Sequence, residues 1–223
     1  MLERRRIILA SASPRRRELL ALGGWDFDVR PVEMPEIPDS GESPADFVRR
    51  MSQAKAWRAA EGAEPGAIVI GADTVVVLDG QILGKPKDTH HARITLRSLR
   101  GRTHEVLTGL TILDTGTGIV ETQLARSRVP MRNYGDAEMQ AYIATGDPLD
   151  KAGAYAIQHA GFRPVDRDQF EDCLANVMGL PLCHVLRGLR RVGVIPATDL
   201  PAACQRFIAY QCPVFEAILK EEF

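Results

Sequence analysis

Residues 67–78 form an apolar run interrupted by one carboxylate: Ala67, Ile68, Val69 and Ile70, then Gly71, Ala72, Asp73 and Thr74, then Val75, Val76, Val77 and Leu78. The run predicts a buried strand over 67–70 that is taken up again over 75–78. An acid in such a run must be buried or stand at a strand break. Burying a carboxylate is costly unless a cation or hydrogen bonds compensate it. Asp73 therefore reads as a metal ligand, a general base, or both. The alternative is a turn aspartate between two strands.

The elements around this run predict an α/β chain with a mixed, twisted sheet and flanking helices rather than a strict doubly wound one. Residues 7–10 read as a first strand. Ser13 reads as an N-cap and Pro14 as the first helical position of a helix over 15–22, which Gly23 and Gly24 stop. A second strand is expected over 27–32 and a proline-rich, acidic loop over 33–42. Ser43 opens a helix that runs to about residue 60, with Phe47, Met51 and Ala54 facing inward. Asp79 and Gly80 signal a hairpin turn. A helix follows from Asp88 or Thr89 to about residue 100. Residues 104–113 and 119–132 read as a hairpin. Further helices are expected from Asp136, as cap, to about 145 and over 180–191, with a loop over 146–153. After Gly193 prolines punctuate a tail that ends in a short amphipathic helix near 214–220. The expected division is a main domain over 1–192 and an extension over 193–223, for which packing or a homodimer contact is the ordinary role.

Composition narrows the classes of function. The chain has 223 residues, a formal net charge of −1 and 26% charged residues, so no bulk field draws it to nucleic acid. No apolar run approaches the ~18 residues of a membrane span. The short run at 7–10 is no signal-peptide core, so a cytoplasmic protein is expected. The cysteines at 173, 183, 204 and 212 show no C-x-x-C spacing and read as reduced thiols. Twenty-three arginines stand against five lysines, and Lys55, Lys85, Lys87 and Lys151 all fall in or beside motifs. That bias favours a use for the compact ammonium at those places.

Four further segments carry chemistry. Ser11, Ser13, Arg15 and Arg16 stand where a strand gives way to a helix. Cations at a helix N-terminus oppose its dipole, and a bound anion bridging N–H and guanidinium groups resolves the conflict. Lys55 sits among small residues, next to the inward Ala54, and either snorkels or reaches a cleft. Lys85 lies between Gly84 and Pro86 as a positioned point charge. In the loop from 146 to 158, Asp150 could hold a metal or position Lys151, and the Gln158 amide could read a base edge. Oxygen ligands of this kind suit a hard cation better than zinc.

In order, these stretches resemble the Maf family of nucleotide pyrophosphatases. The resemblance covers about residues 6–190 and includes the Ser11–Arg16 start, the Lys55–Ala56 helix, Gly71 to Thr74, Gly84 to Pro86, Gly101 to Gly109, Asp150 to Gln158, and Asn176 to Leu182. It implies two lobes around a deep cleft, a divalent cation (magnesium or manganese), and hydrolysis of the α–β phosphoanhydride of a nucleoside triphosphate. It implies Asp73 as the proton acceptor. Ser13, Arg16, Glu36, Lys55 and Lys85 match other active-site positions, with Glu36 joining Asp73 on the metal. Arg15, Thr74 and Gln158 are similar to the branch acting on dTTP and UTP. The alternatives are a 7-methyl-GTP or non-standard nucleotide pyrophosphatase, or a non-enzymatic regulator of septum formation. The last needs an apolar or basic surface and no metal.

Overall fold

The computed structural model describes residues 5–157 and 159–220. In chain order the elements are β1 (Ile7–Ala10), α1 (Pro14–Ala21), β2 (Phe27–Val29), α2 (Pro44–Ala60), β3 (Ile68–Leu78), β4 (Gln81–Leu83), α3 (Thr89–Leu99), β5 (Thr103–Asp114), β6 (Val120–Pro130), α4 (Asp136–Ala144), α5 (Leu174–Val177), α6 (Leu182–Arg191), α7 (Leu200–Ile208) and α8 (Phe215–Lys220). Among the described residues no helix is long and apolar enough to cross a membrane.

The strands form one mixed sheet in the order β2-β1-β3-β5-β6, with β4 also on β3. β1 runs parallel to β2 and β3, whereas β3, β5 and β6 are antiparallel neighbours. Alternation along β3 sends Ile68, Ile70, Ala72, Val76 and Leu78 into the main core, with Leu19 and Leu20 of α1. The opposite face takes Val69 against Ala56 and Ala59, and Val75 and Val77 against Phe47, Val48 and Met51, all from α2. Helices therefore cover both faces, and β3 is apolar apart from Asp73 and Thr74 because neither face is open to water along most of its length.

Several expectations change. β3 is a continuous strand, not two pieces around a break. Gly71 does not end it; a Cβ there would sit 2.2 Å from the Ser52 carbonyl of α2. Gly109, the cross-strand partner of Asp73, meets the Val48 carbonyl in the same way, 2.0 Å from where a Cβ would stand. These two glycines let the α2 backbone lie directly on the sheet. Ser43 caps α2 through the Asp46 N–H and Asp88 caps α3 through the His91 N–H, as expected. Asp136 lies in the first turn of α4, and Gly135 takes the cap position. The 146–153 loop contains two 3₁₀ turns, Asp147–Asp150 and Ala152–Ala154.

The tail carries one helix more than the sequence indicates. In α7, Asp199 caps the Ala202 N–H and Pro201 occupies the first turn, where its missing N–H costs nothing. Leu200 and Ile208 are buried in the main core. Arg187 of α6 donates to the Ile218 carbonyl at 2.9 Å, and Tyr210 donates to the Phe170 carbonyl at 2.8 Å.

Candidate active site

The connection from β1 through α1 leads to β2 on one side, and that from β2 through α2 leads to β3 on the other. The chain thus reverses its winding direction at the carboxyl end of β1, where open α/β sheets leave a crevice for ligands. The pairing register gives that crevice its dimensions. β1 ends opposite Gly71, and antiparallel β4 lies on the same edge of β3 with its last residue, Leu83, opposite Val76. Between them Ala72, Asp73, Thr74 and Val75 have no strand neighbour on that edge among the described residues, a gap of about 13 Å at ~3.3 Å per residue.

Asp73 turns toward α2, where the two glycine contacts hold the helix close. Lys55 extends from the buried face of α2 and donates to Asp73 Oδ1 at 2.5 Å and to Glu36 Oε1 at 2.6 Å. The Lys55 and Asp73 side chains are 7% and 6% exposed, so this is a buried pair, whereas Glu36 is 49% exposed. One ammonium thus stands between two carboxylates. Burial works against the charged form of Glu36, but the hydrogen bond and charge of Lys55, with the charges of Lys85 and Arg16, hold its carboxyl below the ordinary value. Lys85 itself is exposed and makes no ion pair among the described residues. Its loop is tied down by a hydrogen bond from the Gly153 N–H to the Gly84 carbonyl at 3.3 Å.

The start of α1 supplies the anion side. Ser13 occupies the N-cap position with extended backbone, yet its hydroxyl makes no capping bond. The first-turn N–H groups thus lack a side-chain cap, as an anion site requires. Arg15 is half-buried and makes no side-chain hydrogen bond among the described residues. Arg16 is bonded to the protein through all three guanidinium nitrogens. Its Nε donates to the Gly179 carbonyl at 2.8 Å. One terminal nitrogen donates to the Ala72 carbonyl at 2.9 Å and Ser11 Oγ at 3.2 Å, and the other to Thr74 Oγ1 at 3.0 Å. Burial depresses the Arg16 pKa, and the charges of Asp73 and Glu36 oppose that shift. Thr74, one residue after Asp73, faces the opposite side of the sheet and pairs with Thr108 Oγ1 at 2.9 Å. Thr74 is therefore joined to Arg16, not turned toward the carboxylates.

The structure brings Asp73, Lys55, Glu36, Arg16 and Thr74 to one edge of β3, with Lys85 near enough to act on Glu36. Gln158 lies outside the described residues. Lys151 is paired with Asp147 and Asp150, at 2.9 and 2.6 Å. Ser11, Thr108 and the Gly179 carbonyl, three of the partners that fix Arg16 and Thr74, stand in the sequence only as members of motifs, with no individual role legible. Gly179 lies in the segment from Asn176 to Leu182, and its motif was the only available signal.

The donor chemistry fits a hard divalent cation of the magnesium type. Among the described residues no group of three or more His, Cys, Asp or Glu side chains is arranged to hold a metal. Asp73 and Glu36 offer two carboxylates, one of them half-exposed. Magnesium is typically held by one or two carboxylates and completes its shell with water and phosphate oxygens. The uncapped start of α1 and the Asp73 and Glu36 carboxylates thus stand at one crevice of a mixed α/β protein.

Residues 6–192 match the model of the Maf family, described as Maf-like protein. The chain belongs to the Maf family. It is 46% identical over 194 residues to a dTTP/UTP pyrophosphatase of Geobacter sulfurreducens, covering 87% of this chain and 100% of that protein. It is 47% identical over 199 residues to a dTTP/UTP pyrophosphatase of Methylococcus capsulatus, covering 89% and 96%. A partial likeness to the Ham1 protein of Staphylococcus aureus has a TM-score of 0.42 at 14% identity, over 59% of this chain and 75% of that one.

Proposed function

We propose that this chain hydrolyses dTTP and UTP to the nucleoside monophosphate and pyrophosphate. Support comes from relatives bearing that name and spanning nearly the whole chain. The observation that carries the reading is the buried Asp73 carboxylate, held by Lys55 beside the uncapped start of α1.

Lys55 fixes Asp73 through Oδ1, which leaves Oδ2 to accept a proton from water. That water attacks the α-phosphorus in line; its oxygen bonds to phosphorus as the bond to the bridging oxygen breaks, and pyrophosphate leaves. The first-turn N–H groups, Ser13 and Arg15 bind phosphate oxygens, while Lys85 adds charge at the open side. Arg16 holds the α1 start against β3 and Gly179. Asp73 and Glu36 would hold a divalent cation, which when bound would supply neutralisation of the triphosphate charge. Positioning and charge stabilisation account for most catalysis of phosphoryl transfer.

The test is a panel of nucleoside triphosphates with added magnesium or manganese, scored for pyrophosphate against orthophosphate. The expected result is pyrophosphate from dTTP and UTP, lost on chelation. Asp73→Asn should lower turnover by on the order of 100-fold or more. Near-normal turnover in that variant, or a preference for 7-methyl-GTP, would overturn the reading.

A further inference from the structure

His104 belongs to the segment from Gly101 to Gly109, and Tyr155 to the segment from Asp150 to Gln158. The fold brings the two side chains together. His104 Nε2 and the Tyr155 hydroxyl are hydrogen-bonded at 2.8 Å, with the rings edge to face and their centroids 5.5 Å apart. Both side chains are buried, and Tyr155 packs in the main core, across the sheet from the α2 face that Asp73 shares with Lys55. Neither ring reaches the carboxylates. Burial pushes the His104 imidazole down to about 4, so the pair is neutral near pH 7 and sends no charge into the crevice.

The bond pins one end of a strained turn. Gly153 and Ala154 both take left-handed backbone, with φ of 70° and 61°. Ala154 is fully buried, and for a residue with a Cβ this conformation is unfavourable. Such strain persists only where the surroundings over-determine it, and it clusters at functional sites. Here Lys151 fixes the near end through Asp147 and Asp150. Tyr155 fixes the far end, where the Ala156 N–H also donates to the Tyr142 hydroxyl at 3.0 Å.

The middle of the turn lies on β3. A Cβ on Gly153 would stand 3.0 Å from both Val76 methyls, at the end of the opening that β4 closes. There the Gly153 N–H donates to the Gly84 carbonyl at 3.3 Å, so the turn grips the residue before Lys85. Pro86, on the other side of Lys85, is buried. The Lys85 side chain is exposed, yet its backbone is held before and after it.

We propose that this turn is the seat of Lys85, and that His104 and Tyr155 are positioning residues for the triphosphate, acting through Gly153 and Gly84. The inference rests on the nucleotide reading, in which Lys85 adds charge at the open side of the site. A long, exposed lysine on a fixed backbone has fewer positions to search, so less ordering is required when phosphate binds.

The experiment is a double-mutant cycle on the full chain, with UTP and magnesium. Tyr155→Phe keeps the ring and removes the hydroxyl. It should lower kcat/KM about fivefold, the worth of one net hydrogen bond. In the Lys85→Ala background the same change should cost less than about twofold, because the residue it acts through is gone. The pH profile should keep its position, since the pair is neutral. His104→Leu removes the bond from the other side and should give the same pattern; it decides the matter if Tyr155→Phe does not fold. Equal losses with and without Lys85, no loss from either variant, or a displaced pH profile would overturn the proposal. If the unsubstituted chain hydrolyses no nucleotide, the proposed function fails, and hydrogen exchange then tests the seat by itself. Tyr155→Phe should speed exchange in the peptide 82–88 about fivefold and leave the peptide 44–60 of α2 unchanged. Unaltered exchange over 82–88 would overturn the seat.

Discussion

Lys55→Met isolates the buried charge pair. Methionine keeps most of the length and apolar stem of lysine and removes the ammonium. Asp73, with its side chain 6% exposed, then loses the cation bonded to it at 2.5 Å. Breaking a buried pair by removing one partner costs about 3–5 kcal/mol. Glu36, half in water, adds at most about 1 kcal/mol because solvent screens it. The expected loss is therefore about 3 kcal/mol or somewhat more, read as a fall in the urea midpoint with an unchanged slope. The cost arises from a stranded charge, so removing that charge should recover most of it: Lys55→Met with Asp73→Asn should be more stable than Lys55→Met alone by about 2 kcal/mol. Two results would refute the reasoning. One is a single-variant loss below about 1 kcal/mol, the value of a surface pair. The other is a double variant no more stable than Lys55→Met.

Gly109→Ala should cost about 3 kcal/mol, because the new methyl stands 2.0 Å from the Val48 carbonyl and must push α2 off the sheet; urea unfolding checks this, and a neutral result would mean that α2 yields freely. Arg16→Lys should lower turnover roughly 10- to 100-fold with little change in KM, since one ammonium cannot serve Gly179, Ala72, Ser11 and Thr74 together; a rise in KM alone would make Arg16 a direct phosphate ligand. Asp114 controls acid stability. Burial opposes its charge, but the Arg5 ion pair, with bonds from Gly116 and Thr117, holds its pKa at about 2 against 3.8. The folded value is the lower one, so the contribution is complete above about pH 4 and is lost as pH falls to 2. The shift corresponds to about 2 kcal/mol. Stability against pH in Asp114→Asn should lack that acid limb.

The features of the site that carry a local energetic cost were legible in the sequence. Asp73 stood out because a carboxylate between apolar residues needs a partner. Lys55 was half-legible: it follows Met51 by four residues and so shares its buried face, but its charge makes the helical period easy to set on Ala54 instead. Gly71 misled, because a glycine before an acid reads as a turn until the backbone of a helix is found against it. Glu36 offered no local signal at all. It lies in an irregular loop, and only its bond to Lys55 distinguishes it from other acids there. Resemblance alone identified it. The roles of Arg16 and Thr74 depend on partners up to 163 residues away, and no periodicity reports such contacts. α7 was missed because its proline reads as punctuation, although a first-turn proline is compatible with a helix.

The opening along β3 is measured in residues of one strand, and this constrains how it can change. Inserting one residue between Gly71 and Val76 would lengthen the opening by about 3.3 Å and also invert the parity of everything beyond it. Val75 and Val77 would then turn away from Phe47 and Met51, and Val76 would leave the main core. Only a two-residue step preserves parity, and it widens the opening by half its present length. Fine adjustment of what fits there is thus closed to the strand and left to the loops that carry Glu36, Lys85 and Gly179.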